Sequence, residues 1–253
     1  MASLTSGVFL NRLKSLYPRR VPSVAARTKG MEVLSNPWYI PVAVSFGGSN
    51  RPEAVPHVFR HVLDELTNVH DQESTPHDVA HSEKLLLARK LRDSIFKAGL
   101  ITGYSRAING LVSLHESMPE ELRDEQPLRD LKTPVEEYVR RGKELYSYMY
   151  GETAAPVQNL LDAIYPDMGW FSNTIGYGLT YGYTEVTSPL ETSLAIVAGL
   201  IALDTPRQVN WHMGNARRLG ATLEEVKAVR QIAVEVAEKS GVHWRDGVPE
   251  IID

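Results

Sequence analysis

Apolar residues recur along this chain at helical spacing. Val55, Val58, Val62, Leu63 and Leu66 form one stripe, and Val226, Val229, Ile232, Ala233 and Val236 form another. This is the pattern of helices that bury one face. No stretch of comparable length alternates with a period of two, so the expected fold class is all-α. A recurring signal punctuates the stripes: a Ser, Thr or Asn, often followed by Pro, with Glu or Gln three residues after the cap. It occurs at 50–53, 117–120, 133–136, 188–191, 205–208 and 222–225. Each reads as a helix start, where the cap oxygen accepts from a free backbone N–H and the acid or amide reaches back.

Gly99 and Gly241 each follow a long amphipathic pattern and read as C-terminal caps, since glycine takes the left-handed conformation at little cost. Upstream of each lie the same parts in the same order. An apolar segment (38–46 or 194–203) leads to a helix starting at Pro52 or Pro206, and then to a long amphipathic helix. That order predicts an internal duplication of one helical unit. The expected organisation is a basic N-terminal segment at 1–30, a divergent first unit at 31–115, an acidic Pro-containing linker at 116–133 and a second unit at 134–253. One intertwined domain is the alternative, because neither unit offers a large core by itself.

Composition narrows the chemistry. The 253 residues are 43% hydrophobic and 23% charged, as in globular domains. There is no cysteine, which excludes disulfides, thiolate metal ligands and thiol nucleophiles. The longest apolar run, 194–203, is about half the roughly 20 residues a membrane span needs, so no membrane association is expected. A net charge of −4 argues against nucleic acid as a partner. Charge is nevertheless uneven: Arg12, Lys14, Arg19, Arg20, Arg27 and Lys29 precede the first acid, Glu32. This segment reads either as an amphipathic mitochondrial presequence or as a helix packing Leu10, Leu13 and Leu16 on the body and ending at Tyr17-Pro18. The expected location is mitochondrial or cytoplasmic, and the lack of a secretory apolar region argues against secretion.

The apolar segment 194–203, the run Pro206-Arg207-Gln208-Val209-Asn210-Trp211-His212, residues 216–220 and Thr222-Leu223-Glu224-Glu225-Val226 resemble the carboxymuconolactone decarboxylase family and the wider alkylhydroperoxidase-D-like superfamily. Arg141-Gly142-Lys143-Glu144-Leu145 and Tyr150-Gly151-Glu152 resemble the helix that precedes this motif. Asn36-Pro37-Trp38-Tyr39, Arg51-Pro52-Glu53 and residues 89–111 are similar to a more divergent copy. The likeness spans about residues 36–245 and implies an AhpD-like helical fold and a homo-oligomer. Its hydroperoxidase members use a Cys-x-x-Cys pair with a His four residues beyond. Counting back from His212 puts Gln208 and Thr205 at the cysteine positions, so thiol peroxidase chemistry is excluded. The decarboxylase branch, which also lacks the dithiol, remains.

The resemblance makes His212 the candidate acid. Losing CO2 from a lactone acid leaves an enolate-like carbanion that needs a proton at carbon and donors around the charge. A lone helical His is also a common structural residue. Glu191 and Glu185 are candidate proton-relay partners, although Ser188 gives Glu191 the position of a capping-box acid. Arg207, Arg217 and Arg218 could bind a carboxylate, or serve the helix dipole in the case of the last two. Tyr177, Tyr181, Tyr183 and Trp211 could line a pocket or pack. A competing reading pairs His57 with His61 and His77 with His81 at i, i+4 as metal ligands. No His-Glu-x-x-His, phosphate-loop, Rossmann or Gly-x-Ser-x-Gly pattern occurs.

The sequence therefore leads to a cofactor-independent enzyme acting on a small lactone or unsaturated carboxylic acid by proton transfer. It needs no metal or cofactor. An isomerase or lyase of the same fold is one alternative, and a noncatalytic oligomeric helical scaffold is the other.

Overall fold

A computed structural model describes residues 4–18 and 28–251, and every regular element among them is helical. Helix α1 (Gly7–Leu16) starts where the Ser6 hydroxyl accepts from the Phe9 N–H at 3.3 Å. It ends at extended Tyr17, because the following proline disfavours helical backbone in the residue before it. Phe9, Leu10 and Leu13 are buried in the core. Arg12 clasps Glu235 through two bonds of 2.9 and 2.8 Å, and the Lys239 ammonium sits 4.1 Å over the Phe9 ring. The basic segment thus contributes a packing helix; its Arg19, Arg20 and Arg27 lie outside the described residues.

Two apolar helices form the centre. Every residue of α3 (Tyr39–Gly48) is buried, as is α10 (Pro189–Ala202) from Thr192 onward. Helices buried on all sides need no polar face, which is why both read as apolar runs. They pack on each other, and α5 (His77–Thr102) and α12 (Leu223–Lys239) each pack against both. Helix α4 (Val55–Gln72) lies on α3, as α11 (Pro206–Arg218) lies on α10. One hydrophobic cluster runs through both halves. The short α2 (Lys29–Leu34) packs on α4 and α5, and α6 (Tyr104–Ser117) on α5.

Two of the six cap signals form complete reciprocal boxes, Ser188 with Glu191 and Thr222 with Glu225. Elsewhere the caps turn away: Thr205 donates its hydroxyl back to the Leu200 carbonyl at 3.0 Å, and Thr133 donates to Asp130 at 3.2 Å. Gly241, at φ 92°, follows α12 as expected. Gly99 does not end its helix. Helix α5 continues to Thr102 and stops at Gly103, φ 104°. A Cβ on Gly99 would lie 2.5 Å from that of Ala107, so this glycine lets α6 approach. The 116–133 stretch is pinned to α5, with Asp124 held by Arg89 and Arg92 and Asp93 held by Arg129.

The remaining elements frame the site. Helix α7 (Val135–Tyr150) leads through a tight turn at Gly151–Thr153 into α8 (Ala154–Ile164), α9 (Pro166–Phe171) and a π-helix (Ser172–Tyr181). α7 and the π-helix meet backbone to backbone. A Cβ on Gly142 would stand 1.8 Å from the Asn173 carbonyl oxygen, and one on Gly178 would stand 2.2 Å from that of Tyr138.

Candidate functional site: a tyrosine cluster at His212

Helix α11 buries Val209, His212, Met213 and Ala216 on one face, and it packs on α7. His212 Nε2 lies 3.3 Å from the Tyr150 hydroxyl, which accepts a 3.3 Å bond from the Tyr177 hydroxyl. Both contacts are long for their type. Tyr146 stacks on Tyr150 with centroids 4.5 Å apart and meets Tyr177 edge-on at 4.9 Å; Tyr181 meets Tyr177 at 5.2 Å. The i, i+4 spacing of Tyr146 and Tyr150 on α7, and of Tyr177 and Tyr181 on the π-helix, produces this interlocking.

Burial sets the protonation states. It drives His212 down to about 4, so the imidazole is neutral near pH 7. It is therefore no imidazolium acid, and the group beside it that carries a transferable proton is a phenol. Burial also raises Tyr146, Tyr150, Tyr177 and Tyr181, keeping all four protonated. At Tyr150 alone of these four, hydrogen bonding pulls the other way: the bond from Tyr177 favours its phenolate. The cluster also concentrates unmet polarity. Of the eleven buried side-chain polar atoms without a partner among the described residues, five sit here, on Tyr146, Asn173, Thr174, His212 and Asn215. Such groups are rare in folded proteins and call for a specific explanation.

The other expected site residues scatter. Tyr177 and Tyr181 belong to the cluster. Tyr183 instead lies under the Arg129 guanidinium, 4.7 Å away. Glu191 accepts from its own cap at Ser188 and from Lys90 at 2.5 Å, while Glu185 is exposed; neither bonds His212. Arg207 is exposed on the first turn of α11, and Trp211 packs half-buried on the core. Arg217 and Arg218 line a surface cavity of about 640 Å³ with Asn210 and Met213. Arg217 donates to the Ala221 carbonyl, and Arg218 donates to Asn215 at 3.3 Å. The histidine pairs do not converge as metal ligands. His61 packs edge-on against Trp38, His77 stacks on His81, and no group of three or more His, Asp or Glu side chains among the described residues could hold a metal.

Comparison with known proteins gives a limited kinship. No family model matches the chain, and no solved structure matches it. The chain is similar to "Peroxisomal protein 2" of Saccharomyces cerevisiae, 28% identical over 264 residues covering 86% of this chain and 93% of the relative. It is also similar to "Peroxisomal protein 2" of Schizosaccharomyces pombe, 27% identical over 213 residues covering 83% and 90%. Both names point to the peroxisome, which overturns the mitochondrial or cytoplasmic location expected from the basic segment.

Sequence reasoning missed Tyr146, Tyr150, Asn173 and Asn215. The tyrosine spacing 146, 150 on a predicted helix was a usable signal; nothing in the sequence marked the π-helix that presents Asn173. It also missed a second buried polar centre. Lys97, 0% exposed, donates to the Tyr183 carbonyl and the Thr187 hydroxyl at 2.7 Å each and to the Thr192 hydroxyl at 3.0 Å, and it pairs with Asp93 at 3.1 Å.

Proposed function

We propose that this chain is a cofactor-independent enzyme of the carboxymuconolactone-decarboxylase type, acting in the peroxisome on a small lactone or unsaturated carboxylic acid by proton transfer at Tyr150 and His212. Two features support an AhpD-like duplicated fold. Helices α3 and α10 occupy equivalent central places, and the contacts of α3 with α5 and α12 are mirrored by those of α10 with α12 and α5. The relatives' shared name supports the compartment.

The observation that carries the proposal is the neutral His212 bonded to the Tyr150 phenol inside a cluster of unmet polar groups. When CO2 leaves such an acid, the electron pair of the broken C–C bond stays on the remaining fragment as an enolate. The Tyr150 O–H proton then goes to carbon. The Tyr177 hydroxyl, which already donates to Tyr150, stabilises the phenolate left behind, in surroundings dry enough for such a bond to count. A neutral imidazole can accept a proton from Tyr150 or donate its Nε2–H to it, so His212 serves the phenol before and after transfer. Isomerisation through the same enolate would use the same groups without loss of CO2. The partner of His212 is a phenol rather than backbone, which supports the enzyme reading over the scaffold alternative.

Ile164 at the end of α8, Tyr165 between the helices, and Trp170 and Phe171 of α9 are exposed, and large apolar side chains left in solvent this close in sequence support the homo-oligomer. The direct test of function is CO2 release from carboxymuconolactone and related lactone acids by purified protein, with Tyr150→Phe and His212→Ala in parallel. Release by the wild type, reduced about 100-fold or more in Tyr150→Phe, is the expected result. Equal release by all three proteins would remove both residues from the mechanism.

A further inference from the structure

A cavity of about 390 Å³ opens beside the tyrosines, between α7, the Gly151–Thr153 turn, α8 and the π-helix. Its volume is in the range of small-molecule sites, and part of its wall is Gly151, Ala154 and Ala155, which leave it unfilled. Two buried wall residues keep a polar atom without a partner. Tyr146, 4% exposed, has its hydroxyl free, and Asn173, 8% exposed, has its side-chain carbonyl oxygen free.

The Asn173 amide is oriented by its other end. Its Nδ2 donates to Gln158 Oε1 at 2.7 Å and to the Gly169 carbonyl at 3.4 Å. Gln158 in turn uses its own amide nitrogen on Asp162 at 2.8 Å. Turning the Asn173 amide over would set oxygen against two oxygens, so the free atom at this wall is an acceptor. The residues of this wall therefore carry a phenolic donor at Tyr146 and an amide acceptor at Asn173, each buried until its side chain turns toward the cavity. Lys143 stands exposed at the rim, which it shares with Glu152, and has no ion-pair partner among the described residues.

We infer that this cavity binds a small hydroxy-carboxylic acid: its hydroxyl donates to Asn173 Oδ1, one of its oxygens accepts from the Tyr146 hydroxyl, and its carboxylate faces the Lys143 ammonium. The inference rests on the proposed function for the fate of the ligand, because Tyr146 stacks on Tyr150; binding itself requires no turnover. An acid without the hydroxyl leaves Asn173 Oδ1 buried and unmet, and a polar group left unpaired in this way is what rejects the wrong ligand.

The test is calorimetric titration of 3-hydroxybenzoate and 4-hydroxybenzoate, with benzoate as the donorless comparator. At least one hydroxybenzoate should bind the wild type about fivefold more tightly than benzoate, as one added hydrogen bond implies. Asn173→Ala should erase that preference, and Tyr146→Phe should weaken all three ligands. Absence of saturable binding by either hydroxybenzoate, or a preference that survives Asn173→Ala, overturns the inference. Should Asn173→Ala fail to fold, Ala155→Phe fills the cavity from an exposed position, and binding that persists in it overturns the inference equally. Hydroxybenzoate binding without proton-transfer activity upholds this site and overturns the proposed function. Activity unaffected by Asn173→Ala and by hydroxybenzoate as competitor does the reverse.

Discussion

Two of the buried polar centres among the described residues, those at Lys97 and at His212, are built on opposite terms. Around Lys97 every charge is answered. The ammonium has two hydroxyls, a carbonyl and a carboxylate as partners, and Asp93 in turn takes Arg129 at 2.8 Å and the Thr187 hydroxyl at 2.5 Å. Burial pulls the lysine down to about 8 against the pull of Asp93, so it remains mostly charged at neutral pH. Around His212 the bonds are long and five polar atoms have no partner. A saturated network ties elements together, and here it fastens α5 to the start of α10. An unsaturated one costs stability and calls for a specific explanation.

The contrast can be broken first at its saturated end. Lys97→Met should cost about 3–5 kcal/mol, the price of leaving a buried carboxylate and its hydroxyls short of a partner, read by urea denaturation at pH 7. A cost below about 1 kcal/mol would mean that the Lys97 network does not hold α5 to α10.

The next effect is set by pH. His212 has a folded value near 4 against an ordinary 6.5, so between those values the unfolded chain binds the proton and the folded chain resists it. The stability contributed by the neutral, buried imidazole is complete above pH 6.5 and declines as pH falls toward 4. About 2 kcal/mol should be lost between pH 7 and pH 5, as the difference between wild type and His212→Gln in denaturation at the two values. The same slope in both proteins would show that His212 is not the group responsible.

The smallest effect belongs to the loose cluster. Tyr177→Phe removes one long hydrogen bond and leaves the ring packing in place, so it should cost about 1 kcal/mol in thermal unfolding. A loss as large as that of Lys97→Met would show that the cluster is structural and that the two centres are alike.

The parts of this architecture that were legible in the sequence are local or all-apolar. The boxes at Ser188 and Thr222 were readable because cap and partner lie three residues apart, and α3 and α10 were readable because complete burial removes polar positions. Location was misread because a basic helix with buried Leu10 and Leu13 has the composition of a presequence while serving the core. Lys97 was hidden because a lysine within a long amphipathic pattern looks like a surface residue; its partners, Tyr183, Thr187 and Thr192, are brought to it from far along the chain. Gly99 looked like a cap because the contact that requires it is with Ala107 of the next helix. The π-helix has no compositional mark, and with it Asn173 and the cavity were out of reach. His212 was singled out by position, yet its neutrality comes from burial by elements remote in sequence.

The central claim is proton transfer at Tyr150, and it is tested most directly by following deuterium. Wild type, Tyr150→Phe and Lys97→Arg would be incubated in D2O with a panel of lactone and unsaturated acids, and incorporation at carbon read by mass spectrometry. This detects decarboxylation and isomerisation alike. The expected result is one deuterium per turnover in the wild type, a rate at least about 100-fold lower in Tyr150→Phe, and incorporation close to wild type in folded Lys97→Arg. Incorporation at the same rate in Tyr150→Phe, or none across the panel in the wild type, would contradict the claim.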